Sequence, residues 1–326
     1  MKFSLSAEQQ DFAKSLDALL GDFDTVSASR AWARSDTGPG TDLWRKLAEA
    51  GVTGLLIPED LGGVGGSHLD VAVAFERLGY HGAPGPWIES AVVVPLILAN
   101  SDKPEILTDL SDGTQCASIT EPDGSRALDS HVAANTFVVA GHRLYEGTPS
   151  KKLRSVDPVR TLFDVQAGTA IADLDPEIFT RAYDSAALAC ASSLIGAGER
   201  LLDDTVAYVV QRKQFGRVVG SYQAVKHALA DVKVALDFAR PLVIGAAHEL
   251  SAQSAVASRD ASAAKVAANK AAYRAARAAL QLHGAVGYTM ELDLSLWILR
   301  VQALVTAWGT TAHHRDRIAT ALTQEN

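Results

Sequence analysis

The helical periodicity of its last half constrains this chain most. From about Phe179 onward, Leu201, Leu202, Thr205, Val206, Val209 and Val210 trace one helix face, and Val225, Leu229, Val232 and Leu236 trace another. The segment ASAAKVAANKAAYRAARAALQL supplies a third helix, whose small side chains allow close interhelical packing, and a fourth runs from about Leu294 to Leu322. Long helices joined by short connections cover their apolar faces most simply as an antiparallel four-helix bundle.

The first third is also helical. Ser6 with Gln9 three residues on makes a capping box, and Phe12, Leu16, Leu19 and Phe23 follow at helical spacing. A second apolar helix runs from about Leu43 to Ala50 and stops at Gly51, because glycine readily takes the left-handed conformation that ends a helix. The glycines of IPEDLGGVGGSHLD invite comparison with a phosphate-binding loop, but no Lys-Ser/Thr follows them, so a plain loop is preferred. A helix resumes over Asp70 to Leu78 and ends at YHGAPGPW.

Between about Gln115 and Val165 the texture changes. CASIT, HVAANTFVVAG and TLFDV are short β-branched or aromatic runs separated by Gly, Pro, Asp and Ser, as strands and turns would be. The expected division is a helical segment over 1–114, a small β segment over 115–178 and the bundle over 179–326. The fold class is thus mainly α with a small β domain.

Composition excludes several function classes. The 326 residues are 48% hydrophobic and 21% charged, which suits a packed globular core. The longest apolar run, AVVVPLILA, falls well short of the roughly 18 residues that span a bilayer, so no membrane association is expected. The amino terminus lacks the apolar stretch of a signal peptide, and only Cys116 and Cys190 occur, so a cytoplasmic protein is expected. A net charge of −8 disfavours nucleic-acid binding, and neither the cysteines nor the adjacent His313 and His314 predict a metal site. Those two histidines, with Arg315, read as a solvated helix end, because adjacent residues point to different faces.

Four ordered motifs carry a family resemblance: LWRKLAEAGVTGLLIPEDLGG, TEPDGS at Thr120 to Ser125, QRKQFGRVVGSYQAVKHALAD at Gln211 to Asp231, and QLHGAVGYTMELDLSLWILR at Gln281 to Arg300. Together they resemble the acyl-CoA dehydrogenases. That resemblance implies an N-terminal helical domain, a middle β domain and a C-terminal four-helix bundle, with FAD as cofactor. It places Arg212, Phe215 and Gly216 in the family's Arg-x-x-Phe-Gly motif, where the arginine contacts the flavin dinucleotide; a guanidinium fork suits a pyrophosphate. Gln223 matches the glutamine that follows this motif. Gln281, Gly284, Ala285 and Gly287 match Gln-x-x-Gly-Gly-x-Gly, with Ala285 in place of the second glycine. In the family these two motifs bind the adenosine-diphosphate half of a flavin whose ring lies in a neighbouring subunit, so an oligomer is implied.

The same resemblance exposes a gap. The family removes a proton from its acyl-CoA thioester with a glutamate in an aromatic-Glu-Gly-Thr turn. Here AWGT occupies that turn, with Trp308 at the glutamate position. Indole has no basic lone pair, so no catalytic residue is assigned. The family's other base position, on the preceding long helix, falls at Ala186 or Ala187; Asp184 nearby is displaced by almost a turn. TEPDGS is one residue shorter than the family's Thr-Glu-Pro-x-x-Gly-Ser, and the Trp-Ile-Thr segment that lies against the flavin ring is not recognisable. LYEGT at Leu144 to Thr148 imitates the catalytic turn in letters, but reads as a hairpin turn with a solvated Glu146.

The resemblance therefore implies the non-catalytic subunit of a heteromeric acyl-CoA dehydrogenase, an α2β2 heterotetramer like those of actinobacterial steroid and cholesterol catabolism. A catalytic partner would supply the glutamate, the flavin-ring contacts and the acyl pocket for a bulky substrate. The alternatives are a self-sufficient homo-oligomer using Glu291 or Asp293 as base, and a cofactor-free scaffold of the same fold.

Overall fold

The structure is a computed structural model that describes residues 3–99, 103–122, 124–214 and 216–324. Helices α1 (Ala7–Asp22), α2 (Thr25–Ala33), α3 (Gly38–Glu49), α4 (His68–His81), α5 (Val94–Leu98) and α6 (Pro104–Ser111) come first. Strands β1 (Ala117–Ile119), β2 (Arg126–Leu128), β3 (Asn135–Ala140), β4 (Arg143–Leu153) and β5 (Leu162–Asp173) follow. The remainder is α7 (Pro176–Gln211), the short β6 (Lys213–Gln214) and β7 (Arg217–Val218), α8 (Gln223–Ser251), α9 (Ala257–His283), α10 (Leu294–Leu304) and α11 (Thr311–Gln324). The described residues form a mainly α fold with one small five-stranded sheet and a two-stranded β6–β7 ribbon, as the sequence pattern predicts for its class.

Local signals explain most boundaries. Ser6 accepts from the Gln9 backbone at 3.2 Å and its own N–H donates to the Gln9 side chain at 3.1 Å, closing the expected capping box at α1. Ser67 and Asp70 do the same for α4, with Ser67 N–H donating to Asp70 at 2.8 Å. Gly51, at φ 81°, follows α3 where the chain must turn back.

The five strands are ordered β1-β3-β4-β5-β2. β1 runs parallel to β3, and the other pairs are antiparallel. Phe137 and Val139 face the main core, while Val138 packs with Ala127 and Val165 on the opposite side, the alternation a pleated strand imposes. LYEGT is not a turn. It lies within β4, paired to β3 and β5, and the hairpin turns instead at Gly141 and His142, where Ala140 pairs with Arg143. Glu146 is nevertheless exposed, 3.7 Å from Lys103.

Around α7 the core is continuous, running from the first helices to the bundle. Two glycines let α4 and α7 approach backbone to backbone: a Cβ on Gly79 would sit 2.1 Å from the Ser193 carbonyl, and one on Gly196 would sit 1.8 Å from that of Glu76. The alanines of α9 bury Ala261, Ala264, Ala268, Ala272 and Ala276 in the same core. At the edge of this contact, Glu76 and Glu199 accept Arg77 and Arg240 in an ion-pair network that ties α4, α7 and α8 together. The fourth bundle helix is not continuous. It breaks into α10 and α11 across residues 305–310, because Gly309 at φ 101° and Trp308 at φ 52° cannot extend a right-handed helix.

Candidate active-site turn and cofactor-contact end

The break between α10 and α11 presents Trp308 inward. Its side chain is 2% exposed. Its indole N–H donates to Glu89 at 3.3 Å, its main-chain N–H donates to Glu121 at 3.0 Å, and its carbonyl accepts from His314 at 2.9 Å. Tyr183 meets the indole edge-on at 6.2 Å between ring centroids. A bulky residue at positive φ is strained, and these contacts hold it there. Each polar atom of Trp308 is thus engaged, and none accepts a proton from an incoming molecule.

His314 is the hinge pin of this turn and corrects the expectation of a solvated helix end. It is fully buried, with its second nitrogen 3.1 Å from the Ser262 hydroxyl, and burial pushes its pKa down to about 4. His313 and Arg315 remain exposed, as expected. No group of His, Cys, Asp and Glu suited to a metal ion occurs among the described residues.

The other candidate bases are accounted for. Ala186 and Ala187 are buried in α7. Asp184 is buried too, paired with Arg317 at 2.6 Å and hydrogen-bonded by Ser258. Asp293 is at the surface, 2.7 Å from Arg30, and Glu291 is exposed beside it. The carboxyl that sequence reasoning passed over is Glu89. It lies 3% exposed in a single π-helical turn over Glu89–Val93, one of its oxygens has no partner, and burial raises its pKa. Its signal was a lone acid next to an apolar run, in WIESAVVVPL.

The residues expected to contact the cofactor gather elsewhere. α7 ends, α8 begins and α9 ends on the same side of the bundle, where Tyr208 of α7 stacks on His283 of α9 at 4.2 Å. Arg212 leaves α7 there, its carbonyl accepting from Val219 at 2.7 Å. Its guanidinium is exposed and makes no hydrogen bond or ion pair among the described residues. Gln223 opens α8, Gln281 sits in the last turn of α9, and all three side chains are exposed. Gly284 follows at φ 63° with open space at its Cβ position, and Ala285 is exposed beside it. Phe215 lies outside the described residues. An unpaired guanidinium, two amides and a bare backbone fit the donors an anionic dinucleotide end requires.

These two places are far apart. Gln211 lies 28 residues after Tyr183 on one continuous helix, α7. At 1.5 Å per residue that is about 40 Å along the axis. Arg212 therefore cannot serve the Trp308 turn of its own chain through one small cofactor.

Comparison with known proteins identifies the family. The acyl-CoA dehydrogenase N-terminal domain matches residues 6–104, and the C-terminal domain matches residues 177–323. Acyl-CoA dehydrogenase IpdE2 of Mycobacterium tuberculosis is 34% identical over 300 residues, covering 90% of each chain. In fold, the ChsE4–ChsE5 complex from Mycobacterium tuberculosis superposes with a TM-score of 0.84 at 22% identity, covering 99% of each chain. A variant of the Tcur3481–Tcur3483 steroid ACAD gives the same TM-score and identity over 98% of each chain. The chain belongs to the acyl-CoA dehydrogenase family.

Proposed function

We propose that this chain is the non-catalytic subunit of a heteromeric, FAD-dependent acyl-CoA dehydrogenase, built as an N-terminal helical domain over 1–114, a reduced β domain over 115–178 and a bundle over 179–326. The indole of Trp308 at the position of the base carries the reading, together with the separation of about 40 Å between that turn and the Arg212 end. A chain that keeps cofactor donors at one end and has an indole in place of the base at the other is suited to completing a neighbour's site. FAD, when bound, supplies the hydride acceptor. Arg212, Phe215, Gln223 and Gln281 would contact its adenosine-diphosphate end, with Gly284 and Ala285 allowing close approach. The catalytic partner would supply the glutamate, the flavin-ring shelf and the acyl pocket.

The α2β2 assembly and a bulky steroid-derived acyl-CoA are the finer parts of the proposal. They draw support from the paired composition of the ChsE4–ChsE5 complex and from the steroid ACAD among the structural neighbours. A cytoplasmic location fits the absence, among the described residues, of any helix able to cross a membrane.

The test is bound flavin per chain after gel filtration, for the chain alone and co-expressed with a catalytic acyl-CoA dehydrogenase chain from the same cell. The expected result is a colourless chain alone and one flavin per pair of chains in the complex. A full complement of flavin in the chain alone overturns the proposal.

A further inference from the structure

Beside the Trp308 turn, at the opposite end of α7 from Arg212, a cavity of about 340 Å³ opens between the sheet and the end of α10. Three guanidinium groups line it: Arg126 on β2, and Arg154 and Arg160 from the loop joining β4 to β5. None of their side chains makes a hydrogen bond or an ion pair among the described residues. The carboxyls that share the lining are Glu121, which accepts the Trp308 N–H, and Glu89, whose second oxygen is buried without a partner. Leu128 and Leu162 supply apolar wall.

Positive charge exceeds negative in this lining. Burial raises the pKa of Glu89, and the nearby Arg160 opposes that shift. Arg126 and Arg154 are exposed and Arg160 acts electrostatically on Glu89, so the lining holds three guanidinium groups against two carboxyls, an excess that a bound anion would balance. Guanidinium forks match a planar carboxylate bidentately, and the apolar wall calls for a hydrocarbon body. A volume of this size suits a small organic molecule.

We propose that this cavity binds a small organic carboxylate, its charged end held by Arg126, Arg154 and Arg160 and its apolar body against Leu128 and Leu162. The site is independent of the cofactor contacts and does not require that the chain be a non-catalytic subunit.

Isothermal titration of the full chain with cyclohexanecarboxylate tests this, with cyclohexanecarboxamide as the neutral isostere. The expected result is one site per chain, with the amide at least about tenfold weaker and affinity falling as salt rises. Arg160→Gln should weaken binding by about tenfold or more. Arg154→Gln, at an exposed position, should do the same should the first variant fail to fold. Absent binding, equal binding of acid and amide, or indifference to both substitutions overturns the proposal. Displacement by equimolar inorganic phosphate would mark a phosphate site and overturn the carboxylate assignment.

Discussion

The main-chain N–H of Trp308 donates to the Glu121 carboxylate at 3.0 Å, joining the turn after α10 to the segment that leaves β1. With the His314 contact at the Trp308 carbonyl, it fixes a residue whose φ of 52° would otherwise relax. Glu121→Ala removes a charged acceptor from a part-buried donor and should cost about 1–3 kcal/mol. Glu121→Gln keeps an acceptor oxygen and should cost less. Chemical denaturation of the two variants checks the order, and equal losses would show that the contact does not hold the turn.

Restoring the missing letter should not restore the chemistry. In Trp308→Glu a carboxylate would replace an indole whose N–H lies 3.3 Å from buried Glu89, so two acids would be buried side by side. The isolated variant, supplied with FAD and acyl-CoA, should give no dye reduction. Its melting temperature should also fall, because the indole is 2% exposed and truncating a buried Trp costs about 3–5 kcal/mol. Turnover by that variant would show that the chain already holds a competent flavin-ring site.

Most of the helical frame was legible because each helix carries its own local code: the Ser6–Gln9 box, the alanines of α9, the glycine after α3. What escaped was non-local. Nothing in CASIT announces that β1 pairs parallel with β3 while β2 crosses to the far edge beside β5. LYEGT looked like a turn because Gly147 follows an acid, yet a Cβ there would sit 2.8 Å from Val165, so the glycine marks close packing between strands. Periodicity alone reads one helix from Leu294 to Leu322, whereas the family resemblance places AWGT in a turn, and the structure breaks the helix there. Glu89 was hidden for another reason. A single acid in a buried run carries no periodic signal, and its role follows only from what surrounds it.

Close packing of α4 on α7 makes a sharp contrast between two glycines. Gly196→Ala would place a methyl group 1.8 Å from the Glu76 carbonyl, which forces the helices apart and should cost at least about 1–3 kcal/mol. Gly21→Ala, near the end of α1 with nothing within 4 Å, should stabilise by up to about 1 kcal/mol. Thermal unfolding of both variants measures the difference. Similar effects at the two positions would mean that α4 and α7 are not in backbone contact.

Acid should weaken the junction between α4 and α7. Burial, reinforced by Arg181, lowers the pKa of His68 to about 4, and its ring lies 2.8 Å from the Ser185 hydroxyl. The unfolded chain binds a proton at His68 near pH 6.5 and the folded chain near pH 4, so its contribution is complete above pH 6.5 and is lost as pH falls between those values. The loss amounts to about 3 kcal/mol at most. His68→Gln keeps a polar partner for Ser185 but does not titrate. The stability difference between the two proteins should therefore shift in favour of the variant on going from pH 6.5 to pH 4, and a pH-independent difference would place His68 in a solvated environment.

Arg212 offers the sharpest separation of cofactor holding from chemistry. Its guanidinium is exposed at the end of α7 and has no partner among the described residues, so replacing it by alanine disturbs no internal contact. Hydrogen bonds to charged groups contribute about 1.5–3 kcal/mol, so Arg212→Ala should weaken FAD retention in the assembled complex by roughly tenfold or more. The partner's base would be untouched. Saturating FAD should therefore restore most of the rate, whereas loss of a catalytic group would persist at any FAD concentration. Flavin content by absorbance, with dehydrogenation assayed across a range of added FAD, distinguishes the two. Unchanged flavin content would mean that the end of the bundle where Arg212, Gln223 and Gln281 meet does not contact the cofactor.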